Sequence, residues 1–89
     1  MENNESIAYI VAEVHSFDTA LDYTVYDTVF DTREEARAYL DVLMEDICAF
    51  IKDAYSDKYT VSKDGTSVST QYGDTWRYLI KKLNFSESD

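Results

Sequence analysis

One long amphipathic stretch, residues 32 to 54, constrains this chain more than any other part of its sequence. Apolar residues recur along it at steps of three and four, the periodicity of one face of an α-helix. Those residues are Ala36, Tyr39, Leu40, Leu43, Met44, Ile47, Phe50, Ile51 and Ala54. A helix of this length is about 33 Å long. The segments before and after it must therefore cover its apolar stripe.

A capping box marks the start of this helix. Thr32 is a good N-cap residue, and Glu35 follows three residues later, so each side chain can bond the backbone N–H of the other residue. Glu34 and Glu35 also suit the positive end of the helix dipole. We therefore expect a helix over residues 33 to 54.

Two strands are predicted before the helix, at residues 7 to 17 and 23 to 30, with residues 18 to 22 connecting them as an antiparallel hairpin. The first strand has apolar residues at both odd- and even-numbered positions, which is typical of a strand covered on both faces. One face is entirely apolar and includes two alanines, which would let a helix approach closely. We assign that face to the core: Ala8, Ile10, Ala12 and Val14. The opposite face is predicted to lie away from the helix: Tyr9, Val11, Glu13 and His15.

Three strands are predicted after the helix, at residues 58 to 63, 66 to 72 and 75 to 85. Asp64-Gly65 and Gly73-Asp74 separate them, and both dipeptides are typical of two-residue hairpin turns. No proline interrupts this region. The pattern predicts a compact meander of three strands.

Two-residue turns would fix how these last strands pair. Val61 is then opposite Val68, Tyr72 is opposite Thr75, and Val68 is opposite Leu79. In this register, three large side chains of the last strand face away from the helix: Trp76, Tyr78 and Ile80.

The predicted fold is α+β, with element order β-β-α-β-β-β. One long helix packs on a mainly antiparallel five-stranded sheet to give two layers. Its 89 residues suit a single domain over positions 1 to 89, with frayed tails at 1 to 6 and 86 to 89. The most buried side chains are expected to include Leu43, Ile47, Ile10 and Leu79.

The charge distribution narrows the classes of partner. The net charge is −10, and residues 1 to 57 carry 14 acidic side chains against 3 basic ones. Such a field repels nucleic acid and acidic membranes and attracts basic proteins. No apolar run is long enough to span a bilayer, and the first residues lack a basic segment typical of signal peptides. We expect a cytoplasmic protein that binds neither nucleic acid nor membrane directly.

No pattern in the sequence indicates an enzyme, a cofactor or a metal site. His15 and Cys48 are predicted to point to opposite sides of the sheet, so a thiol hydrolase is disfavoured and Cys48 is interpreted as a structural thiol. Asp18 and Asp22 lack the glycine turn and alternating ligands of a calcium loop, which favours a solvated loop there.

Two surfaces are candidates for binding another protein. The first is the aromatic face of the sheet, whose composition is typical of a binding hot spot: Tyr9, Val11, Trp76, Tyr78 and Ile80. It predicts a homodimer, in which Trp76→Ala would leave the fold intact and give a monomer. The second is an acidic surface on the helix and the first loop: Asp18, Asp22, Glu34, Asp41 and Glu45. Asp41 and Glu45 lie one turn apart and repel each other, with Arg37 nearby.

In size, acidity and single-domain α+β pattern, the chain is similar to the inhibitors that bacteriophages use against nucleic-acid-binding defence proteins. That resemblance implies that the carboxylates imitate nucleic-acid phosphates and block a basic protein. The alternative is a homodimeric interaction protein that uses the aromatic face.

Overall fold

The computed structural model of this chain describes residues 5 to 17, 19 to 55 and 58 to 86. Its elements are β1 (Glu5–Phe17), β2 (Ala20–Val25), α1 (Arg33–Tyr55), β3 (Tyr59–Val61), β4 (Ser67–Thr70) and β5 (Thr75–Ser86). One helix packs on a five-stranded antiparallel sheet of order β2-β1-β5-β4-β3. The predicted α+β fold is confirmed. The strands at both ends reach further than predicted, and residues 1 to 4 and 87 to 89 of the proposed tails lie outside the described residues.

The capping box forms as predicted. The Glu35 amide donates to Thr32 Oγ1 over 3.1 Å, and the Thr32 amide donates to Glu35 Oε1 over 3.2 Å. Glu35 Oε1 also accepts from the Asp31 amide over 3.1 Å. Backbone N–H groups at the start of α1, which have no carbonyl acceptor within the helix, thus find side-chain acceptors.

β1 and β5 form the centre of the sheet. They pair in antiparallel fashion along almost their whole lengths, from Glu5 opposite Ser86 to Ser16 opposite Thr75. These two strands are far apart in the sequence, with β2, α1, β3 and β4 between them. α1 contacts β1, β4 and β5.

The second strand differs from its prediction. β2 begins at Ala20 and ends at Val25, so Asp22 belongs to the strand rather than to a loop. After it, the Tyr26 amide donates to the Val11 carbonyl over 3.0 Å, and Phe30 and Tyr9 exchange backbone hydrogen bonds of 2.8 and 2.9 Å. From Tyr26 to Phe30 the chain advances four residues, while the partner positions on β1, Val11 and Tyr9, are only two residues apart. The two additional residues end the regular ladder, yet Tyr26 and Phe30 stay on the same side of the sheet.

The turn between β4 and β5 decides which side chains of β5 meet the helix. The Gly73 amide donates to the Thr70 carbonyl over 3.3 Å, and the Thr70 amide donates to the Asp74 carbonyl over 2.8 Å. These bonds close a loop of three residues, 71 to 73. Its last residue, Gly73, has a positive φ of 97°. The predicted two-residue turn is wrong, and Val68 lies opposite Trp76 instead of Leu79.

This change of register turns β5 over. A shift by an odd number of residues moves every side chain of a strand to the other face. Trp76 and Tyr78 are therefore only 5% and 3% exposed and pack with Leu40 and Ile51 of α1. Val11 is fully buried in the same cluster, while Tyr9 and Ile80 pack against it. The prediction that the aromatic face lies away from the helix is wrong.

The predicted core face is the outer face, which we define as the side of the sheet opposite α1. Leu79 lies there and is 37% exposed, and Ile10 is half-buried. Ala12 is buried because Val25 and Leu79 flank it on the neighbouring strands. Large aromatic rings fill the space between helix and sheet and bury more apolar area than alanines do. On the helix, Leu43 and Ile47 are half-buried, so they are less buried than predicted.

In the second hairpin, the register of β3 and β4 is confirmed. Val61 lies opposite Val68 and Tyr59 opposite Thr70. The loop is longer than the predicted two residues, since the last backbone bond runs from the Ser62 amide to the Ser67 carbonyl over 2.9 Å.

Candidate functional site

The aromatic residues predicted to bind a partner form the packed interior between sheet and helix. The Trp76 ring stacks on His15, with ring centroids 4.3 Å apart and an interplanar angle of 12°. His15 in turn contacts Phe17 at a centroid distance of 4.8 Å. Because α1 already covers Trp76 and Tyr78, these rings are not available to a second protein without unfolding of the domain.

A carboxylate lies among the tyrosines on this side of the sheet. The Tyr26 hydroxyl donates to Glu13 Oε1 over 2.8 Å, and Glu13 lies opposite Tyr78 in the β1–β5 ladder. Burial, and then the neighbouring Glu13 carboxylate, raise the pKa of both Tyr26 and Tyr78 well above the usual tyrosine range. Both phenols therefore stay protonated at neutral pH. A general acid or base needs a pKa near neutrality, and these groups are shifted away from it.

His15 and Cys48 lie on the same side of the sheet, because the face of β1 that carries His15 is the one that α1 covers. The prediction that they point to opposite sides is wrong for His15. His15 Nε2 is buried and makes no hydrogen bond to another described residue. Burial raises the pKa of the Cys48 thiol, which disfavours the thiolate. A nucleophilic cysteine needs a lowered pKa and a bonded base, and Cys48 shows the opposite shift.

The described acidic residues of the first hairpin do not gather into a cation site. Asp22 is exposed on β2, on the same side of the sheet as α1 and opposite His15. Asp18 lies outside the described residues. Within the described parts of the chain, no group of three or more His, Cys, Asp or Glu side chains could hold a metal ion.

The solvent side of α1 carries two rows of exposed carboxylates. Glu34, Asp41 and Glu45 lie on one side of the helix as predicted. Glu35, Asp46 and Asp53 form a second row that the sequence reasoning did not single out. Between the rows lies a strip of exposed small and aliphatic side chains: Ala38, Val42 and Ala49. We call the six carboxylates the acidic helix surface.

One carboxylate of this surface is already neutralised. Arg37 Nε donates to Asp41 Oδ1 over 2.9 Å, and Nη2 of the same guanidinium group donates to the Asp64 carbonyl over 2.8 Å. Arg37 therefore relieves the repulsion between Asp41 and Glu45. In the described residues, this is the sole ion pair on the acidic helix surface.

Arg37 also joins the helix to the β3–β4 loop. In that loop, Asp64 Oδ1 accepts from Thr66 Oγ1 over 2.7 Å and from Ser62 Oγ over 2.8 Å. These bonds, with a third from the Thr66 amide, lower the pKa of Asp64 to about 2. An open cleft of about 530 Å³ lies beside this contact. Arg33, Arg37, Glu34 and Asp64 line it, so it has no single sign of charge that would select a ligand.

The outer face of the sheet is a surface that the sequence reasoning missed. Its exposed apolar residues are Leu21, Tyr23, Val25 and Leu79. Arg77 and Lys81 lie beside them, and Lys81 Nζ is 6.0 Å from the centroid of the Tyr23 ring. The alternation of Arg77, Leu79, Lys81 and Leu83 in the sequence was a signal for a solvated face. The incorrect register assigned Leu79 to the core instead.

Among the described residues, no helix is long and apolar enough to cross a membrane. Neither a family model, nor a curated protein, nor a solved structure matches this chain in comparisons of sequence and fold.

Proposed function

We propose that this protein is a non-enzymatic binding module whose acidic helix surface occupies a basic groove of a nucleic-acid-binding protein. The observation that carries this function is the pair of exposed carboxylate rows on α1. Glu34 and Glu45 are both exposed, and only Asp41 is paired with a cation in the described part of the chain. The module needs no cofactor, and it acts in the cytoplasm as an inhibitor of its partner.

The spacing of the carboxylates suits a basic groove. Asp41 and Glu45 are about 6 Å apart along the helix axis, and Glu34 and Asp41 about 10 Å apart. These steps correspond to two or three phosphates of one DNA strand, which rises about 3.4 Å per nucleotide. Lysine and arginine side chains that contact successive phosphates can therefore contact successive carboxylates. Asp22, exposed on the same side of the sheet, adds to this field.

The strip between the rows supplies contact area. Val42 is exposed, and Ala38 and Ala49 are small, so a partner surface can approach the helix closely there. Interfaces commonly combine an apolar centre with a charged rim. The carboxylates would then set the orientation and the rate of association, and the strip would exclude water.

The test starts with capture of partners from lysate of the native host at low and high salt, with double-stranded DNA as competitor. Each captured protein is then purified and its affinity for the chain measured. We expect to capture a nucleic-acid-binding protein that DNA displaces from this chain. High salt should also release it, because attraction between charges is screened beyond about 10 Å at 0.1 M salt.

A pair of matched variants connects this binding to the acidic helix surface. Glu34→Gln with Glu45→Gln should weaken binding by about 2- to 30-fold, from about 0.2–1 kcal/mol for each exposed ion pair. Asp27→Asn with Asp31→Asn removes the same charge from the segment before α1 and should have little effect. Equal losses in the two variants, or a partner that DNA does not displace, would contradict the proposed function.

A further inference from the structure

We infer that the free edge of β2 pairs with the same edge of a second copy of this chain, across a two-fold axis at Tyr23. This pairing does not depend on the proposed function. It replaces the aromatic face, which α1 covers, with a different surface for self-association.

The backbone of β2 offers the required hydrogen-bonding groups. β2 is the last strand at one end of the sheet, so only its edge toward β1 is paired within the described chain. The Tyr26 amide, directly after β2, bonds the Val11 carbonyl in the register of the β1–β2 pair. Bonding alternates along an antiparallel ladder, so even-numbered residues of β2 bond β1. The N–H and C=O groups of Leu21, Tyr23 and Val25 therefore point outward.

The two edges of the sheet differ in their protection. β3, at the other end, spans only Tyr59–Val61, and Lys58 and Lys63 lie near its ends. Short length and lysines are common devices that prevent an edge strand from pairing with another chain. β2 is twice as long, Ala20–Val25, and contains no proline, glycine or lysine. Pairing between chains is therefore favoured at β2.

The sequence of β2 complements itself. With the axis at Tyr23, Leu21 lies opposite Val25 of the second copy, and Tyr23 lies opposite Tyr23 of the second copy. All three outward residues then form bonded pairs with two hydrogen bonds each. Asp22 lies opposite Thr24 of the second copy, so no carboxylates face each other across the pair. A shift by two residues in either direction would place one of the outward residues against a position outside the strand.

The side chains support the same register. Leu21, Tyr23 and Val25 lie on the outer face and are 66%, 51% and 47% exposed. Pairing brings Leu21 against Val25 and the two Tyr23 rings against each other, both of which are favourable cross-strand combinations. The two-fold axis of an antiparallel pair is perpendicular to the sheet. Both copies of α1 therefore lie on one side of a continuous sheet, with their acidic helix surfaces facing the same way.

The first experiment is sedimentation of the purified chain across the micromolar range. Tyr23→Pro removes an outward N–H together with the ring that meets its counterpart, but it removes no backbone bond to β1, because the Tyr23 N–H points away from β1. We expect the wild type to dimerise and Tyr23→Pro to raise the dissociation constant at least about tenfold. Val61→Pro makes the matched change at the edge of β3, since the neighbouring Ser62 amide bonds β4. That control should dimerise like the wild type, and far-UV circular dichroism checks the fold of both variants.

Amide exchange identifies the interface directly. Protection of the Leu21, Tyr23 and Val25 amides should rise with protein concentration, while the Asp22 and Thr24 amides should be protected at all concentrations. Leu79→Lys changes the centre of the outer face and should leave the dimer intact. A wild type that stays monomeric, or a dimer that Leu79→Lys disrupts and Tyr23→Pro does not, would overturn the inference.

Salt separates this dimer from partner binding. Raising the salt concentration screens the repulsion between two copies of charge −10 and should strengthen the dimer. The same change should weaken binding of a basic partner to the acidic helix surface. Dimerisation through β2 can therefore be refuted while partner binding is confirmed, and the reverse.

Discussion

The indole of Trp76 lies almost parallel to the imidazole of His15, at a centroid distance of 4.3 Å. The two residues are direct neighbours in the β1–β5 ladder, and both are on the side that α1 covers. The contact therefore packs a ring of β1 against a ring of β5 on the helix side of the sheet.

Because Trp76 is 5% exposed, Trp76→Ala should lower the free energy of unfolding by about 3–5 kcal/mol. That is a large part of the total stability of a small domain. The sequence alone predicted an intact fold for this variant. Urea unfolding followed by circular dichroism measures the loss, and Trp76→Phe, which keeps a stacked ring, should lose less. A variant as stable as the wild type would contradict the burial of this ring.

His15 should be replaceable by an apolar ring. Its buried Nε2 makes no hydrogen bond in the described part of the chain, and an unsatisfied buried group destabilises the fold. His15→Phe keeps the stacking on Trp76 and removes that nitrogen, so it should raise the free energy of unfolding by about 1 kcal/mol. His15→Ala is the control and should destabilise the protein. Chemical denaturation of all three proteins decides the point, and a loss of stability in His15→Phe would show that the nitrogen has a partner.

Leu40 rather than Leu43 should be the leucine of α1 that matters most for stability. Leu40 is 1% exposed, whereas Leu43 is half-buried at the margin of the core. Leu40→Ala should cost about 2–5 kcal/mol, and Leu43→Ala distinctly less. Melting temperatures of the two variants test this order. The reverse order would mean that α1 is rotated about its axis relative to this structure.

Gly73 should be required for its conformation. Its φ of 97° is unfavourable for residues with a side chain, although a Cβ there would have no atom within 4 Å. Gly73→Ala should therefore cost about 1–2 kcal/mol through backbone strain alone. Gly73→Asn should cost less, because asparagine tolerates positive φ better than alanine does. Equal stability of Gly73→Ala and the wild type in urea unfolding would argue for a different turn.

Asp64 should contribute stability that disappears in acid. Its pKa is lowered from 3.8 to about 2 by bonds from Thr66, then Ser62. A carboxyl group whose pKa is lower in the folded state than in the unfolded chain stabilises the folded state at any pH above its unfolded pKa. That contribution is lost as the pH falls from about 4 to about 2. NMR titration of the Asp64 carboxyl gives its midpoint, and Thr66→Val should move that midpoint toward 3.8. A wild-type midpoint near 3.8 would contradict the hydrogen bonds in this loop.

Local signals in the sequence determined the helix and its start. The apolar period of α1 and the Thr32–Glu35 capping box need only neighbouring residues, and both form as predicted. The same holds for the pairing of Val61 with Val68, because the hairpin that joins them is short. The acidic row of Glu34, Asp41 and Glu45 could also be predicted, since helical geometry alone places these residues together.

Only the tertiary structure decided which face of the sheet meets the helix. Strand side chains alternate with a period of two, so the three-residue loop before Asp74 moved Trp76 and Tyr78 from outside to inside. β1 is apolar on both faces, and its own pattern could not choose between them. The pairing of β1 with β5 is set by contacts between distant parts of the chain, and it leaves β2 at the edge with Tyr23 exposed. The choice of face followed from burying the large rings under α1, an interaction that exists only once sheet and helix have come together.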